Sequence, residues 1–295
     1  MADEPSYSID QIDEIIRQNA QLFDVVRLVD PISMVVYRIE DGKLVGQPGG
    51  CYNVWHKSDR CENCVSSRCL MDHARYSKFE FIDHDIYHVV AQPVRVDGHR
   101  YVLEVVTASN DNVLLTAFGN NDFVNRITEF NHKVYTDELT GLSNRRYLNE
   151  RLSLMVTRAV HDKASIAVAM IDVDDFKDIN DLKGHLAGDE ALRRVGDTLT
   201  QGLRPGEEDI LARYGGDEFF CALWDIDRTD LEDRLKAVRE IADESGLGAT
   251  MSIGAFFEPV AQEATAEEFI KRADRIMYGI KAAGKNNYAI EDAVE

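Results

Sequence analysis

The feature that most constrains the fold is a run of six apolar residues, 166–171, that leads directly into a group of carboxylates. A short uninterrupted apolar run is typical of a strand buried on both faces of a sheet. Similar runs alternate with helix-like stretches after Thr136, so the sequence predicts an α/β domain with a mostly buried sheet. Asp172, Asp174 and Asp175 follow the run, at a strand end where α/β proteins commonly bear a functional site.

A second acidic element lies further along the chain, at Gly215, Gly216, Asp217 and Glu218. Strand-like residues flank it on both sides, and the glycine pair predicts a tight hairpin turn with positive φ angles. Because side chains alternate between the faces of a strand, Asp217 and Glu218 are not expected to point equally at one ligand. Taken alone, this element is just as typical of a solvated turn.

The two acidic elements together favour a metal-dependent nucleotide site. Mg²⁺ is usually held by one or two carboxylates together with substrate phosphates, and two strand ends can supply those carboxylates. The alternative is that Asp174 or Asp175 only stabilises the N-terminus of a following helix through the helix dipole. That alternative leaves the hairpin carboxylates unexplained.

These residues, with several separate motifs in the same order, resemble the GGDEF-domain diguanylate cyclases over about residues 136–290. The matching segments are 137–146, 172–177, 180–181, 184–185, 188–189, 215–219, 252–254, Lys281 and 284–286. The resemblance implies a palm-like α/β fold related to nucleotide cyclases and polymerases. It also implies synthesis of cyclic di-GMP and pyrophosphate from two GTP molecules, by a homodimer in which each domain presents one GTP.

The resemblance further implies a role for each matching side chain. The implied catalytic residues are Asp172, Asp217 and Glu218, and the implied ligands of Mg²⁺ or Mn²⁺ are Asp172, Asp217 and the backbone carbonyl of Val173. The implied GTP-binding residues are Asn180 and Asp189 at the guanine edge, with Asp175, Phe176, Lys177, Lys281 and Lys285 around the triphosphate. Asp189 favours GTP over ATP and over a mixed cyclic dinucleotide. The alternative function is a GTP-binding switch or cyclic-dinucleotide receptor without turnover.

One common feature of the family is changed in this chain. Many of these cyclases carry an Arg-x-x-Asp motif that ends five residues before the first glycine of the hairpin and binds the product. Here Asp209 is kept, but Gly206 stands at the arginine position, with Glu207 and Glu208 between them. Because the bidentate cation is absent and negative charge is added, we expect only weak product inhibition. The alternative is that Arg204, two residues earlier, reaches this position through a reshaped turn at Pro205 and Gly206.

The first part of the chain predicts a smaller domain of mixed helices and antiparallel strands. An amphipathic helix is expected over residues 8–23, with Ser8 and Gln11 placed as a capping box. Further along, residues 87–96 and 100–106 predict a β-hairpin.

The predicted organisation is therefore a two-domain α/β (α+β) protein. Residues 1–113 form an N-terminal sensor domain that resembles PAS-type modules, 114–135 a connecting signalling helix, and 136–295 the catalytic domain. The connecting helix is predicted from apolar residues that recur every three to five positions without a proline.

Four cysteines, Cys51, Cys61, Cys64 and Cys69, fall within 19 residues with the spacing C-x9-C-x2-C-x4-C. The x2 pair suits two ligands of one tetrahedral metal, so Zn²⁺ is favoured, although an iron–sulfur cluster also takes four cysteines. His56 or His73 is an alternative ligand in place of Cys69. A reversible disulfide and unpaired reduced thiols remain open. Cys221 is expected in the core of a strand.

The charge of the chain restricts its partners. With 33 basic and 53 acidic residues the formal net charge is −20, which disfavours binding to DNA or to anionic membranes. The first residues lack the pattern of a signal peptide, and no apolar stretch approaches the length that spans a bilayer. We therefore expect a cytoplasmic protein that does not bind membranes.

Overall fold

The computed structural model describes residues 4–58, 61, 64–82, 85–109, 134–244, 249–262 and 265–293. The chain divides into two compact units, Met1–Asn131 and His132–Glu295. The connecting helix predicted over 114–135 lies outside the described residues except for its last two positions. None of the helices among the described residues is both long and apolar enough to cross a membrane.

In the N-terminal unit, seven described strands form one sheet in the order β1-β6-β7-β2-β3-β4, with β5 paired to β6. The strands are β1 (Ser6–Tyr7), β2 (Val25–Asp30), β3 (Val35–Glu40), β4 (Lys43–Gly50), β5 (Tyr76–Ile82), β6 (Asp85–Val96) and β7 (His99–Ser109). The pairs are antiparallel except for β1 with β6. Two described helices accompany the sheet, α1 (Ile9–Asn19) and α2 (Val65–Asp72).

The predicted capping box and hairpin of this unit are confirmed, whereas the helix predicted over residues 8–23 ends at Asn19. Helix α1 begins at a capping box in which the Ser8 hydroxyl accepts from the Gln11 amide at 3.3 Å and Gln11 Oε1 accepts from the Ser8 amide at 2.8 Å. The predicted hairpin is formed by β6 and β7, and its turn residues Asp97 and Gly98 both have positive φ angles of 47° and 84°. Such a turn matches the twist of the flanking strands.

In the C-terminal unit, six described strands form a sheet in the order β13-β12-β9-β11-β10-β8. They are β8 (Ser143–Asn144), β9 (Ile166–Val173), β10 (Ile210–Arg213), β11 (Glu218–Trp224), β12 (Met251–Glu258) and β13 (Asn287–Asp292). The central strand β9 is antiparallel to both neighbours, β11 and β12. All eight residues of β9 are buried, as the apolar run predicts.

Helices cover both faces of this sheet. They are α3 (Arg145–Asp162), α4 (Phe176–Lys183), α5 (His185–Leu203), α6 (Arg228–Glu244) and α7 (Ala266–Ala282). Ile171 and Phe219 pack into one core with residues of α5 and α6, whereas Met170 and Phe220 pack into a second core with residues of α3 and α7. The predicted α/β domain with a buried sheet is confirmed. The acidic residues lie at the C-terminal end of strand β9 and in the turn that follows it.

Candidate active site

The acidic residues of the two sequence elements meet at one end of this sheet. Glu218, the first residue of β11, lies directly opposite Asp172 on β9, so their side chains share a face. The Val173 amide donates to the backbone carbonyl of Asp217 at 3.1 Å, which places the hairpin tip beside the end of β9. Asp172 is only 4% exposed. The structure thus brings the three predicted catalytic carboxylates together.

The conformation of the hairpin differs from the prediction. Neither Gly215 nor Gly216 has a positive φ angle. The connection between β10 and β11 is four residues long, and the amides of Tyr214 and Gly215 donate to the Glu218 carbonyl at 2.8 and 3.2 Å. Loops of four residues are most often built around a type I turn, which needs no positive φ, unlike the two-residue turn that the glycine pair suggested.

The electrostatics of the cluster favour a bound cation. Burial raises the pKa of the Asp172 carboxyl, and the charges of Asp217 and Glu218 raise it further against the opposing effect of Lys281. The donors that the cluster offers are hard oxygens, which are the ligands that Mg²⁺ prefers. Within the described ranges, no group of three or more acidic, histidine or cysteine side chains is arranged to hold an ion by itself. A cation at this position would therefore need further ligands from outside these side chains, such as substrate phosphates.

Two lysines reach this end of the sheet from the end of α7. Lys281 Nζ lies 2.6 Å from Asp172 Oδ2, and Lys285 Nζ lies 2.6 Å from Asp175 Oδ1. Both lysines were predicted to bind a triphosphate, and both stand beside the acidic residues. A phosphate chain that entered here would meet cations already placed at the carboxylates.

The turn after β9 leads straight into helix α4. Asp175 precedes the helix with a left-handed φ of 54°, and its side chain makes no capping hydrogen bond to α4. The structure does not support the interpretation of Asp175 as a helix cap. Phe176 is half-buried and Lys177 is exposed on the first turn, where the leading N–H groups of a helix lack intrahelical acceptors and suit an anion.

The residues predicted to bind guanine lie on neighbouring helices. Asn180 is on α4 and Asp189 is on α5, and both are partly buried. Between them Gly188 permits a close approach, because a Cβ atom at this position would lie 2.1 Å from Asn180 Oδ1. The sequence motif contained this glycine, but its function in the packing of Asn180 was not predicted.

A pair of residues that sequence reasoning missed holds the hairpin in place. Arg213 Nη1 donates to Asp137 Oδ1 at 3.1 Å, while Arg213 Nε and Nη2 donate to the Gly216 carbonyl at 3.1 and 2.7 Å. The amide and hydroxyl of Thr140 also donate to Asp137, at 2.9 and 2.8 Å. A sequence signal existed for both residues, because Asp137 belongs to the first matching motif and Arg213 directly precedes the hairpin.

A family profile described as "Diguanylate cyclase, GGDEF domain" matches residues 134–287, slightly more than half of the chain. The protein belongs to the GGDEF diguanylate cyclase family.

Curated relatives resemble the chain over its C-terminal part. The probable diguanylate cyclase DgcT of Escherichia coli strain K12 is 33% identical over 138 residues, which cover 43% of this chain and 29% of DgcT. Diguanylate cyclase DosC of the same strain is 33% identical over 129 residues, covering 41% and 27%. The cyclic di-GMP phosphodiesterase NbdA of Pseudomonas aeruginosa is 38% identical over 129 residues, covering 41% and 16%. The match thus spans less than a third of each of these relatives.

A solved structure supports the fold. The coiled coil and GGDEF domain of DgcB from Caulobacter crescentus, in complex with c-di-GMP, superposes with a TM-score of 0.52 at 24% identity. The superposition covers 61% of this chain and all of that one. At this identity the likeness concerns the fold alone, and it agrees with the sheet and helices of the C-terminal unit.

In this GGDEF domain, Asp137→Asn is expected to lower the free energy of unfolding at pH 7 by about 1 kcal/mol. Burial by itself would raise the pKa of Asp137, but hydrogen bonds from Thr140 and Arg213 lower it below its ordinary value of 3.8. A carboxylate with a lowered pKa stabilises the fold above its unfolded-state pKa, and this contribution is lost as the pH falls through the folded-state value.

Urea unfolding of wild type and Asp137→Asn between pH 7 and pH 3 checks this expectation. The difference in unfolding free energy should be largest at pH 7 and should shrink below the ordinary aspartate pKa of 3.8. Glu138→Gln, at the exposed neighbouring carboxylate, is the control and should have little effect. A difference that stays constant across the pH range would contradict the assigned ion pair.

The four N-terminal cysteines lie in one region of the other unit. Cys69 on α2 and Cys61 are buried, Cys64 directly precedes α2, and Cys51 begins a short 3-10 helix, Cys51–Trp55. All five cysteines of the chain are described, and none forms a disulfide. The described part of the chain contains no group of three or more cysteine, histidine or acidic side chains placed to hold a metal ion, so the ligands of the predicted site are not pre-arranged.

Charged side chains surround these thiols. Burial raises the pKa of the Cys51 thiol to about 12, with Cys64 and Glu104 adding to the effect and Arg27 opposing it. Burial also raises the pKa of Cys61, against the opposing effect of Lys78. His73, the alternative ligand, has its Nδ1 atom 2.6 Å from Glu4 Oε1. A thiolate at Cys51 would therefore have Arg27 nearby, and a thiolate at Cys61 would have Lys78 nearby.

Proposed function

We propose that the C-terminal unit is a diguanylate cyclase, which converts two GTP molecules into cyclic di-GMP and two pyrophosphates. The observation that carries the proposal is the meeting of Asp172, Asp217 and Glu218 at one sheet end, with Lys281 in contact with Asp172. Family membership and the names of DgcT and DosC support the same activity. In each half-reaction the 3′ hydroxyl of one GTP attacks the α-phosphorus of the other, and the bond to pyrophosphate breaks.

The residues of the chain have distinct tasks in this reaction. Asp172, Asp217 and the Val173 carbonyl would hold Mg²⁺ or Mn²⁺, which when bound polarises the α-phosphate and makes the attacking hydroxyl more acidic. Lys281 and Lys285 neutralise the triphosphate.

Orientation of the base and pairing of the domains complete the mechanism. Asn180 and Asp189 match the acceptor and donor edge of guanine, since an amide can donate and a carboxylate can accept. The C-terminal unit of one chain contains a single such set of residues, so the reaction needs two copies of the chain that face each other, and we propose a homodimer. Holding both nucleotides in place replaces a chance collision by an oriented reaction.

Incubation of the purified protein with Mg²⁺ and GTP, ATP or both, followed by identification of products, tests the activity. We expect cyclic di-GMP from GTP and no cyclic product from ATP. The alternative of a cyclic-dinucleotide receptor predicts binding of cyclic di-GMP without turnover. Absence of any cyclic product from all three mixtures would contradict the cyclase proposal and leave the receptor.

Product inhibition of this enzyme is expected to be weak. Asp209, the retained member of the product-binding motif, already accepts from the Gly206 amide at 2.8 Å and from the Trp224 amide at 2.7 Å. No guanidinium stands at position 206, although Arg234 lies beside the motif, with its Nη1 atom 3.7 Å from Asp209 Oδ2. A Cβ atom at Gly206 would have Asp209 Oδ2 at 3.5 Å as its nearest neighbour. A side chain can therefore begin at this position without a clash of its Cβ atom.

Initial rates at increasing cyclic di-GMP check this expectation. The wild type should show only weak inhibition that GTP relieves, whereas Gly206→Arg should be inhibited about tenfold more tightly, as one added charge-assisted hydrogen bond permits. Gly206→Gln, which adds length without charge, is the control. Potent wild-type inhibition that GTP does not relieve would refute the assignment.

We further propose that the N-terminal unit regulates the cyclase through a metal held by Cys51, Cys61, Cys64 and Cys69, with Zn²⁺ favoured over an iron–sulfur cluster. Support comes from the influence of Cys64 on the pKa values of the other three thiols, which means that they share one region. Binding of a metal would deprotonate the thiols and draw them together.

Metal analysis of protein purified without air tests the regulatory site. One equivalent of metal is expected in the wild type and in the control Cys221→Ala, which changes a buried thiol of the other unit. The double variant Cys61→Ser, Cys64→Ser should lose the metal, because it removes two ligands. A metal-free, fully folded wild type would favour the thiol-switch alternative.

A further inference from the structure

The carboxylate of Asp174 is buried and fully engaged, although it lies between two residues of the candidate active site. It is 4% exposed. Asp174 Oδ1 accepts from the Ser252 hydroxyl at 2.6 Å, and Oδ2 accepts from the Thr250 hydroxyl at 2.7 Å and from the Asn286 amide at 3.0 Å. Three donors to one carboxylate leave little capacity for a metal ion. Its task therefore differs from that of Asp172.

These hydrogen bonds connect three elements that are far apart in sequence. Asp174 itself lies in the turn between β9 and α4. Thr250 is the residue before β12, and Ser252 is the second residue of that strand. Asn286 lies in the loop after α7. The Asp174 amide also donates to the Thr250 carbonyl at 2.9 Å. A single buried side chain thus joins the turn that carries Asp175 to the loop that carries Lys285.

The two joined segments adopt backbone conformations that need support. Asp175, Lys285 and Asn286 have φ angles of 54°, 64° and 46°, in the left-handed region. Asp and Asn enter this region more readily than other non-glycine residues, so Lys285 is the least favourable of the three. Such conformations persist where surrounding contacts determine them. The hydrogen bond from the Asn286 amide to Asp174 is one of those contacts, and Lys285 Nζ lies beside Asp175 across the same junction.

We propose that Asp174 is a positioning residue, which holds the Lys285 loop against the turn after β9 so that both segments grip the triphosphate of GTP together. This inference rests on the proposed function and names the residue that assembles its phosphate-binding half. Asp174 does not itself contact the nucleotide. Its two oxygens are already occupied by three hydrogen-bond donors from the protein.

The test compares GTP with GMP, because both carry guanine but only GTP carries the triphosphate. Calorimetric binding and steady-state kinetics are measured for the wild type, Asp174→Asn and Thr250→Val. The introduced amide would keep one acceptor oxygen, but its NH2 group would face the hydroxyl or backbone N–H donors that the second carboxylate oxygen now accepts from. Asp174→Asn should therefore weaken GTP binding and raise the KM for GTP about tenfold, whereas GMP binding should change less than about twofold.

Thr250→Val guards against a failure of Asp174→Asn to fold, since Thr250 is exposed and the change keeps its shape. It removes one of the three donors and should weaken GTP binding about fourfold, with GMP again nearly unaffected. Asp233→Asn, at an exposed carboxylate on α6, makes the same chemical change away from the site and should alter neither nucleotide.

The outcomes separate this inference from the proposed function. If the wild type binds GTP no more tightly than GMP, the phosphate-binding half is absent and both proposals fail. If the wild type prefers GTP and makes cyclic di-GMP, but both variants keep the full preference, only the role of Asp174 is refuted. A loss of GTP and GMP binding by the same factor in both variants would also refute it, because it would show a merely structural role.

Discussion

Asp217→Asn is expected to lower kcat for cyclic di-GMP synthesis about a thousandfold, since it removes a carboxylate from the metal-binding group at the reacting phosphate. The fold should be unaffected. Asp217 is only partly buried, and it is its backbone carbonyl, not its side chain, that accepts from the Val173 amide. The substitution therefore leaves the junction between the hairpin and β9 intact.

Rates of pyrophosphate release and thermal unfolding, measured on the same preparations, separate the two effects. The control is Asp233→Asn, which removes one carboxylate from the exposed face of α6 and should leave both quantities unchanged. Near-normal synthesis by Asp217→Asn at its wild-type melting temperature would show that the metal assignment of the hairpin is wrong.

Gly254→Ala is expected to lower the free energy of unfolding by about 3 kcal/mol or more, because it forces β12 and α7 apart. A Cβ atom at Gly254 would lie 2.1 Å from the Met277 amide nitrogen and 2.5 Å from the Ala273 carbonyl oxygen. Both contacts are backbone atoms of α7, so no side-chain rotation relieves them. Lys281 follows Met277 by one turn, and a displaced helix would move it away from Asp172.

Gly279→Ala is the matched control for this effect. Gly279 lies on the same helix α7, and a Cβ atom there would meet nothing within 4 Å. Alanine in the interior of an exposed helix face should stabilise the protein by about 0.5–1 kcal/mol relative to glycine. Urea unfolding of both variants decides the matter, and equal stabilities of the two would contradict the close packing of β12 on α7.

Local patterns in the sequence predicted the central strand, the start of the first helix and the residue types of the site. The apolar run at 166–171 predicted strand β9 because a fully buried strand has no polar face, and the capping box predicted the start of α1 because its hydrogen bonds join residues three positions apart. The motif order predicted which residue types would serve a nucleotide. Each of these inferences depends on neighbours in the chain.

The tertiary structure alone decided how these residues meet. The register that sets Glu218 opposite Asp172, the ion pair of Arg213 with Asp137, and the hydrogen bond from the Asn286 amide to Asp174 join residues 46, 76 and 112 positions apart. The hairpin turn was predicted wrongly for the same reason, because the length of its loop depends on where β10 and β11 stop pairing. Contacts at such separations form only when the whole sheet and its helices pack, so no local pattern encodes them.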